Sequence, residues 1–299
     1  MQVITQGQKQ RKEDYHQDRA RLLISCPDRP GIVAAVSRFL SENQANIVQS
    51  DQYTMDPRGG MFFIRLEFDL PDLERRLPEL ANNFRPIAET FGMTYRFSEA
   101  AKRKKLAIFV SKEEHCLLEL LWQWQAGDLY ADIEMVISNH EYMRELVESF
   151  NIPYHYVPVT PETKQQAEEK QLALVTGKAD TIVLARYMQI ISPQFLQHFP
   201  NRIINIHHSF LPAFVGGKPY AQAYARGVKL IGATAHYVTE ELDGGPIIEQ
   251  DVQRVSHRDN VESLKRIGRH IERIVLARAV QWHCEDRILV HENKTVVFV

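Results

Sequence analysis

The chain has 299 residues and a formal net charge of −2, with 36 Lys and Arg against 38 Asp and Glu. That length accommodates roughly two domains of about 150 residues, and the balanced charge argues against nucleic acid or a membrane surface as partner. Cys26, Cys116 and Cys284 are far apart and odd in number with no CxxC pair, which excludes a disulfide framework and a cysteine-based zinc site and fits a reducing cytoplasm; no apolar run nears the ~20 residues of a membrane helix, and no export segment is visible.

Residues 1–18 are polar and rich in Gln, and a frayed tail is expected. From Arg19, RLLISC reads as a strand, and Pro27, Asp28, Arg29, Pro30 and Gly31 make a tight turn. Ile32, Val33, Val36, Phe39 and Leu40 then recur at helical spacing. Asn46–Met55 is strand-like, 57–60 is a hairpin turn and MFFIRLEFDL a second strand. Leu73–Glu89 reads as a helix and Met93–Phe97 as a last strand. The order β-α-β-β-α-β over residues 19–98 is ferredoxin-like.

That order, with CPDRPGIVAAVSRFL at the first strand-to-helix junction, resembles an ACT domain. The resemblance implies a regulatory module that associates through sheet edges or helices, giving a homo-oligomer. It also implies an amino-acid effector, methionine or glycine in the family. Gly31 lets the backbone approach closely, and a helix starting near Pro30 points free N–H groups at an anion. Asp28, Pro30, Gly31 and Ile32 are the candidate effector-binding residues.

Residues 99–105 (EAAKRKK) form a charged linker. LAIFVS then opens a second domain, residues 106–299. Strands are expected at Ile133–Ser138, Tyr154–Val159 and Asp180–Ala185. Helices are expected at Glu113–Gln125, Glu141–Phe150, Glu162–Gly177 and Asp259–Asp286, and an edge hairpin over Arg287–Val299. Alternating strand and helix predicts an α/β, Rossmann-like parallel sheet with right-handed crossovers.

The chemistry concentrates in Ile203–Gln250. Ile203–Ile206 is a short β-branched run, read as a buried strand, which sends Asn205 and His207 to one side near its C-terminal end, where ligands bind in open α/β sheets. Ile231–Val238 reads as another strand, and Gly244, Gly245 and Pro246 force a turn just after Asp243. An amide, an imidazole and a carboxylate so gathered suit attack on a carbonyl. The amide donates to a developing oxyanion. The imidazole polarises the same oxygen or passes a proton to the leaving nitrogen. The carboxylate accepts a proton from water or holds the imidazole protonated.

The paired motifs NIHHSFLP and ELDGGPII, with AHYVT before the second, resemble the folate-dependent formyltransferase family. The resemblance implies Asn205, His207 and Asp243 as the catalytic trio. It also implies a pterin pocket lined by Met188, Gln189, Ile190 and Ile191 after the strand TIVLA, by Thr239, Glu240, Glu241 and Leu242, and by His236. His207, His208 and His236 lack the spacing of a zinc site, so no metal is expected.

The first strand-to-helix loop of this domain reads SKEEHCLL, Ser111–Leu118. In glycinamide ribonucleotide formyltransferases the matching loop is Gly-rich and cradles a phosphate; here it has no Gly, and Glu113 and Glu114 repel one. Water then replaces the amine as acceptor. With an ACT-like domain ahead of it, the chain resembles the formyltetrahydrofolate deformylases. That implies hydrolysis of 10-formyltetrahydrofolate to formate and tetrahydrofolate, the folate being substrate and no cofactor being needed. Such an activity supplies formate for purine synthesis and balances one-carbon pools. The rival is transfer of the formyl group to an amine.

Overall fold

The computed structural model describes residues 16–56, 58–213 and 219–299. The predicted tail up to residue 15, Pro57 of the hairpin turn and the Gly-rich stretch 214–218 lie outside the described residues. The chain divides into two compact units, one of residues up to 103 with 285–291 and 296–299, the other of 104–284 with 292–295.

The first unit holds β1 (Arg19–Pro27), α1 (Ile32–Glu42), β2 (Asn46–Thr54), β3 (Met61–Asp69), α2 (Leu73–Phe91) and β4 (Thr94–Glu99). The strands form an antiparallel sheet in the order β2-β3-β1-β4. Period-2 alternation splits it. Leu22, Ile24, Phe62, Ile64 and Leu66 join Val36, Leu40 and Phe84 of the helices in one core. The opposite face carries a charged ladder: Arg19 meets Asp69 and Arg21 meets Glu67, each at 2.8 Å. Arg65, fully buried, donates to Glu67 at 2.7 Å and to the carbonyls of Glu285 and Asp286 at 3.1 and 2.9 Å. The buried Asp286 carboxylate takes Arg96 at 2.6 Å and Ser98 at 2.8 Å.

The second unit holds β5 (Lys104–Val110), α3 (His115–Ala126), β6 (Ala131–Ser138), α4 (Arg144–Glu148), β7 (Tyr154–Tyr156), α5 (Lys164–Val175), β8 (Thr181–Leu184) and α6 (Pro193–Leu196). It continues with β9 (Ile203–His207), α7 (Pro219–Arg226), β10 (Leu230–Tyr237), β11 (Ile247–Arg254) and α8 (Val261–Cys284). Seven strands lie in the order β11-β10-β9-β8-β5-β6-β7. Those from β5 to β9 are parallel, and their alternate residues pack with Ala167 and Val175 of α5 and with Phe195.

Three expectations need correcting. The sheet is parallel only in part, because β10 runs antiparallel to β9 and β11 antiparallel to β10. Among the described residues the connection after β9 carries only the 8-residue α7, and the chain re-enters the sheet running backwards. Ile247–Gln250, where no strand is expected from the sequence, opens β11, the edge of the sheet. The helix expected over Glu141–Phe150 is reduced to Arg144–Glu148, where Asn151 at φ 60° ends it. The terminal hairpin, β12 (Ile288–His291) and β13 (Lys294–Val297), forms a two-stranded sheet of its own.

Candidate active site

Asn205 and His207 point to one face of β9, as the alternation requires. Across the antiparallel pair, His236 of β10 lies opposite Asn205 and Thr234 opposite His207. The Asn205 amide nitrogen sits 3.2 Å from His236 Nε2, and His236 Nδ1 sits 2.9 Å from the Tyr237 carbonyl. A carbonyl only accepts, so Nδ1 carries the hydrogen and Nε2 accepts from Asn205. That bond orients the amide and leaves its second N–H to donate elsewhere.

Asp243 arrives from a returning loop rather than from a neighbouring strand tip. β10 ends beside the start of β9, where the Val238 N–H donates to the Ile203 carbonyl at 2.9 Å, and residues 239–246 fold back over the site. Asp243 takes a left-handed backbone (φ 56°). Gly245 lets the turn lie on the preceding strand, since a Cβ there would fall 1.9 Å from the Tyr237 carbonyl oxygen. The outcome is a carboxylate with Oδ2 at 3.1 Å from His207 Nδ1 and Oδ1 at 3.7 Å from His236 Nε2. Burial pushes this carboxyl up, but the hydrogen bond from His207 and the contact with His236 outweigh it and hold it well below the ordinary carboxylate value. His207 Nε2 is buried with no hydrogen-bond partner.

These groups stand at one end of a cleft of about 280 Å³. All the predicted pterin residues line it: Met188–Ile191, Thr239–Leu242, and His236 beside Asn205. Met188, Ile190 and Leu242 are 56, 61 and 56% exposed, which rules out core packing as their purpose; Ile191, at 7%, is the one that anchors its loop. Ser111 fastens the same loop by accepting the Met188 N–H at 2.9 Å while donating to Asn139 at 2.8 Å.

Sequence reasoning missed the group behind the trio. Glu272 of α8 is 1% exposed, and its carboxylate meets His115 at 2.9 Å, Arg186 at 3.3 Å and the Tyr220 hydroxyl. Burial raises this carboxyl and the three partners more than offset that, leaving it ionised. A signal was present: Glu272 sits on the apolar stripe Leu264, Ile271, Val275, Leu276 of α8. His115, Cys116 and Glu272 hold ligand-type atoms within 4.8 Å of one another, yet the Arg186 guanidinium already supplies the cation there. His208, between Tyr220 and His207, is pushed down to about 3 by burial and then by Arg186, and stays neutral.

In the other unit, Gly31 is the left-handed residue (φ 96°) before α1, and Pro30 beside it is exposed. Asp28 accepts from Thr54 Oγ1 at 2.7 Å. Ile32 is 2% exposed, so its side chain belongs to the core and only its backbone is available to a ligand.

A mostly parallel sheet with Asn, His and Asp converging over the C-terminal ends of its central strands defines the second unit as a formyl-group enzyme of the formyl transferase class. The Formyl transferase family model matches residues 104–280, and the ACT domain model matches residues 20–85. The formyltetrahydrofolate deformylase of Bacillus subtilis is 60% identical over 293 residues, spanning 97% of this chain and 98% of that protein. The crystal structure of a formyltetrahydrofolate deformylase from Pseudomonas syringae superposes with a TM-score of 0.89 at 50% identity, covering 98% of this chain and 99% of that one. Glycinamide ribonucleotide transformylase 1 from Symbiobacterium toebii matches at TM-score 0.62 and 28% identity, covering 66% of this chain and 95% of its own. The chain belongs to the formyltetrahydrofolate deformylase family.

Proposed function

We propose that this chain hydrolyses 10-formyltetrahydrofolate to formate and tetrahydrofolate, with Asn205, His207 and Asp243 as the reacting groups. The observation that carries the reading is the pairing of Asp243 with His207 Nδ1 at 3.1 Å beside an oriented Asn205 amide. The pterin enters between Met188–Ile191 and Thr239–Leu242, with His236 at its inner end. The formyl oxygen faces the free Asn205 N–H and His207 Nε2. Asp243, ionised throughout the neutral range, takes a proton from water as the water oxygen bonds to the formyl carbon. The negative charge on the former carbonyl oxygen is held by the Asn205 N–H and by His207. His207, which enters this step with a proton on each ring nitrogen, then passes the Nε2 proton to the folate nitrogen as the C–N bond breaks; formic acid leaves and ionises to formate, and the proton that Asp243 took from water returns to His207. No cofactor enters this scheme.

Water is the acceptor in this reading because the loop Ser111–Leu118 has no Gly and carries Glu113 and Glu114. We further place the protein in the cytoplasm as a homo-oligomer joined through ACT domains. An amino acid, methionine or glycine, binds near Asp28, Pro30, Gly31 and Ile32 and sets the rate. The Asp243→Asn variant keeps the side-chain shape and removes the base, and formate release should fall by roughly 10³-fold or more. A variant that releases formate near the parent rate sinks the assignment. Supplying glycinamide ribonucleotide and following its formylation separates hydrolysis from transfer.

A further inference from the structure

Glu272 does not line the cleft, and the scheme above does not use it. Its carboxylate nevertheless gathers three separate segments: the start of α3 through His115, the residue that opens the pterin loop through Arg186, and the first turn of α7 through Tyr220. Two of these lead to the reacting groups. Arg186 lines the cleft and adopts a left-handed backbone (φ 63°) two residues before Met188. The Tyr220 ring lies 5.8 Å from that of His208, and His208 lies 5.3 Å from His207.

The helix carrying Glu272 is shaped to allow this. Gly268, one turn earlier on the same face, leaves the space the Tyr220 hydroxyl needs; a Cβ there would sit 1.8 Å from that oxygen. Glycine inside a 24-residue helix costs about 1 kcal/mol against alanine. Burying an ionised carboxylate is also a poor way to gain stability, since apolar side chains of the same volume serve as well or better. Neither feature is explained by holding the fold together.

We propose that Glu272 is a positioning residue for deformylation: through Arg186 it fixes the start of the pterin loop, and through Tyr220 and His208 it fixes the His207 ring. This rests on the hydrolytic reading above. The two arms have separable kinetics. Loosening the Arg186 arm disturbs binding of the folate, and loosening the Tyr220 arm disturbs the chemical step.

The test uses Tyr220→Phe, Gly268→Ala, Arg186→Lys and Glu272→Gln in the full chain, with kcat, KM and the thermal midpoint measured for each. Tyr220→Phe and Gly268→Ala should each lower kcat roughly tenfold with little change in KM. Arg186→Lys should chiefly raise KM, and Glu272→Gln should do both. Adding Tyr220→Phe to Glu272→Gln should lower kcat no further, because both break one link. Lower thermal midpoints with parent kcat and KM throughout would mean a merely structural cluster and overturn the proposal. If Glu272→Gln fails to fold, Tyr220→Phe and Gly268→Ala decide alone. A parent protein that releases no formate would overturn the hydrolytic reading and this proposal with it; an active parent beside kinetically unchanged variants would overturn only the latter.

Discussion

Replacing Gly245 by Ala tests whether the turn after Asp243 is what delivers the carboxylate. The added methyl would lie 1.9 Å from the Tyr237 carbonyl oxygen, 3.0 Å from the Tyr237 carbonyl carbon and 3.1 Å from Thr239 Cγ2, where ordinary contact begins near 3.4 Å. The obstacle is backbone, and that same residue's N–H is committed to the Pro246 carbonyl at 2.9 Å, so the turn must retreat by about 1.5 Å (3.4 less 1.9). Asp243 lies two residues away and moves with it. A misplacement of about 1 Å at a reacting group costs on the order of 100-fold in rate, and a strained insertion of this kind roughly 1–3 kcal/mol in stability. The neighbouring Gly244→Ala is the control. Its obstacle is the side chain of Glu241, which is exposed and swings aside. Steady-state formate release and a thermal midpoint on both variants decide the matter. Gly245→Ala should lose far more kcat than Gly244→Ala; a kcat within about threefold of the parent would refute delivery of Asp243 by this turn.

Removing the proposed oxyanion donor with Asn205→Ala should lower kcat by roughly 10²–10³-fold with a smaller change in KM, checked in the same assay. Asp243 titrates below its ordinary value of 3.8 in the folded chain. Its stabilising contribution is therefore whole above that value and lost as pH falls through the lower folded one. Urea denaturation of parent and Asp243→Asn should show a stability gap that is flat from neutral pH down to about 4 and closes only in stronger acid. Arg65→Met leaves Glu67 with Arg21 alone and strands the carbonyls of Glu285 and Asp286. It should destabilise the first unit by roughly 2–4 kcal/mol, measured by urea denaturation, and a loss under about 1 kcal/mol would deny Arg65 that role.

What could be read from the sequence follows the periodicity of the physics. In the first unit the turns at Pro27–Gly31 and 57–60 bound the apolar runs, and Ile32, Val36 and Leu40 recur at helical spacing, so its strands and helices are legible one by one. The trio was legible because Asn205 and His207 share a strand face and Asp243 abuts Gly244, Gly245 and Pro246. Strand direction was not legible: nothing local to IGATAHYV says whether it runs with or against Ile203–His207, since that depends on where the chain re-enters the sheet. β11, mixed in polarity as IIEQDVQR, lies at the edge with one side open and so lacks an apolar run. Glu272 looked like one more charge in RHIER. Only its place on the apolar stripe of α8, one turn from Gly268, marks it as buried.

Asp286 has a practical consequence for anyone wishing to isolate the ACT unit. The unit that begins at the N-terminus is completed by residues nearly two hundred positions further along, and three of its guanidinium or hydroxyl donors (Arg21, Arg96 and Ser98) look to that one buried carboxylate. A fragment cut after residue 103 would lack the counter-charge and leave Arg65 without the two carbonyls it serves. Dissection along the linear order yields an incomplete sheet face; a faithful excision has to splice residues 285–291 back on.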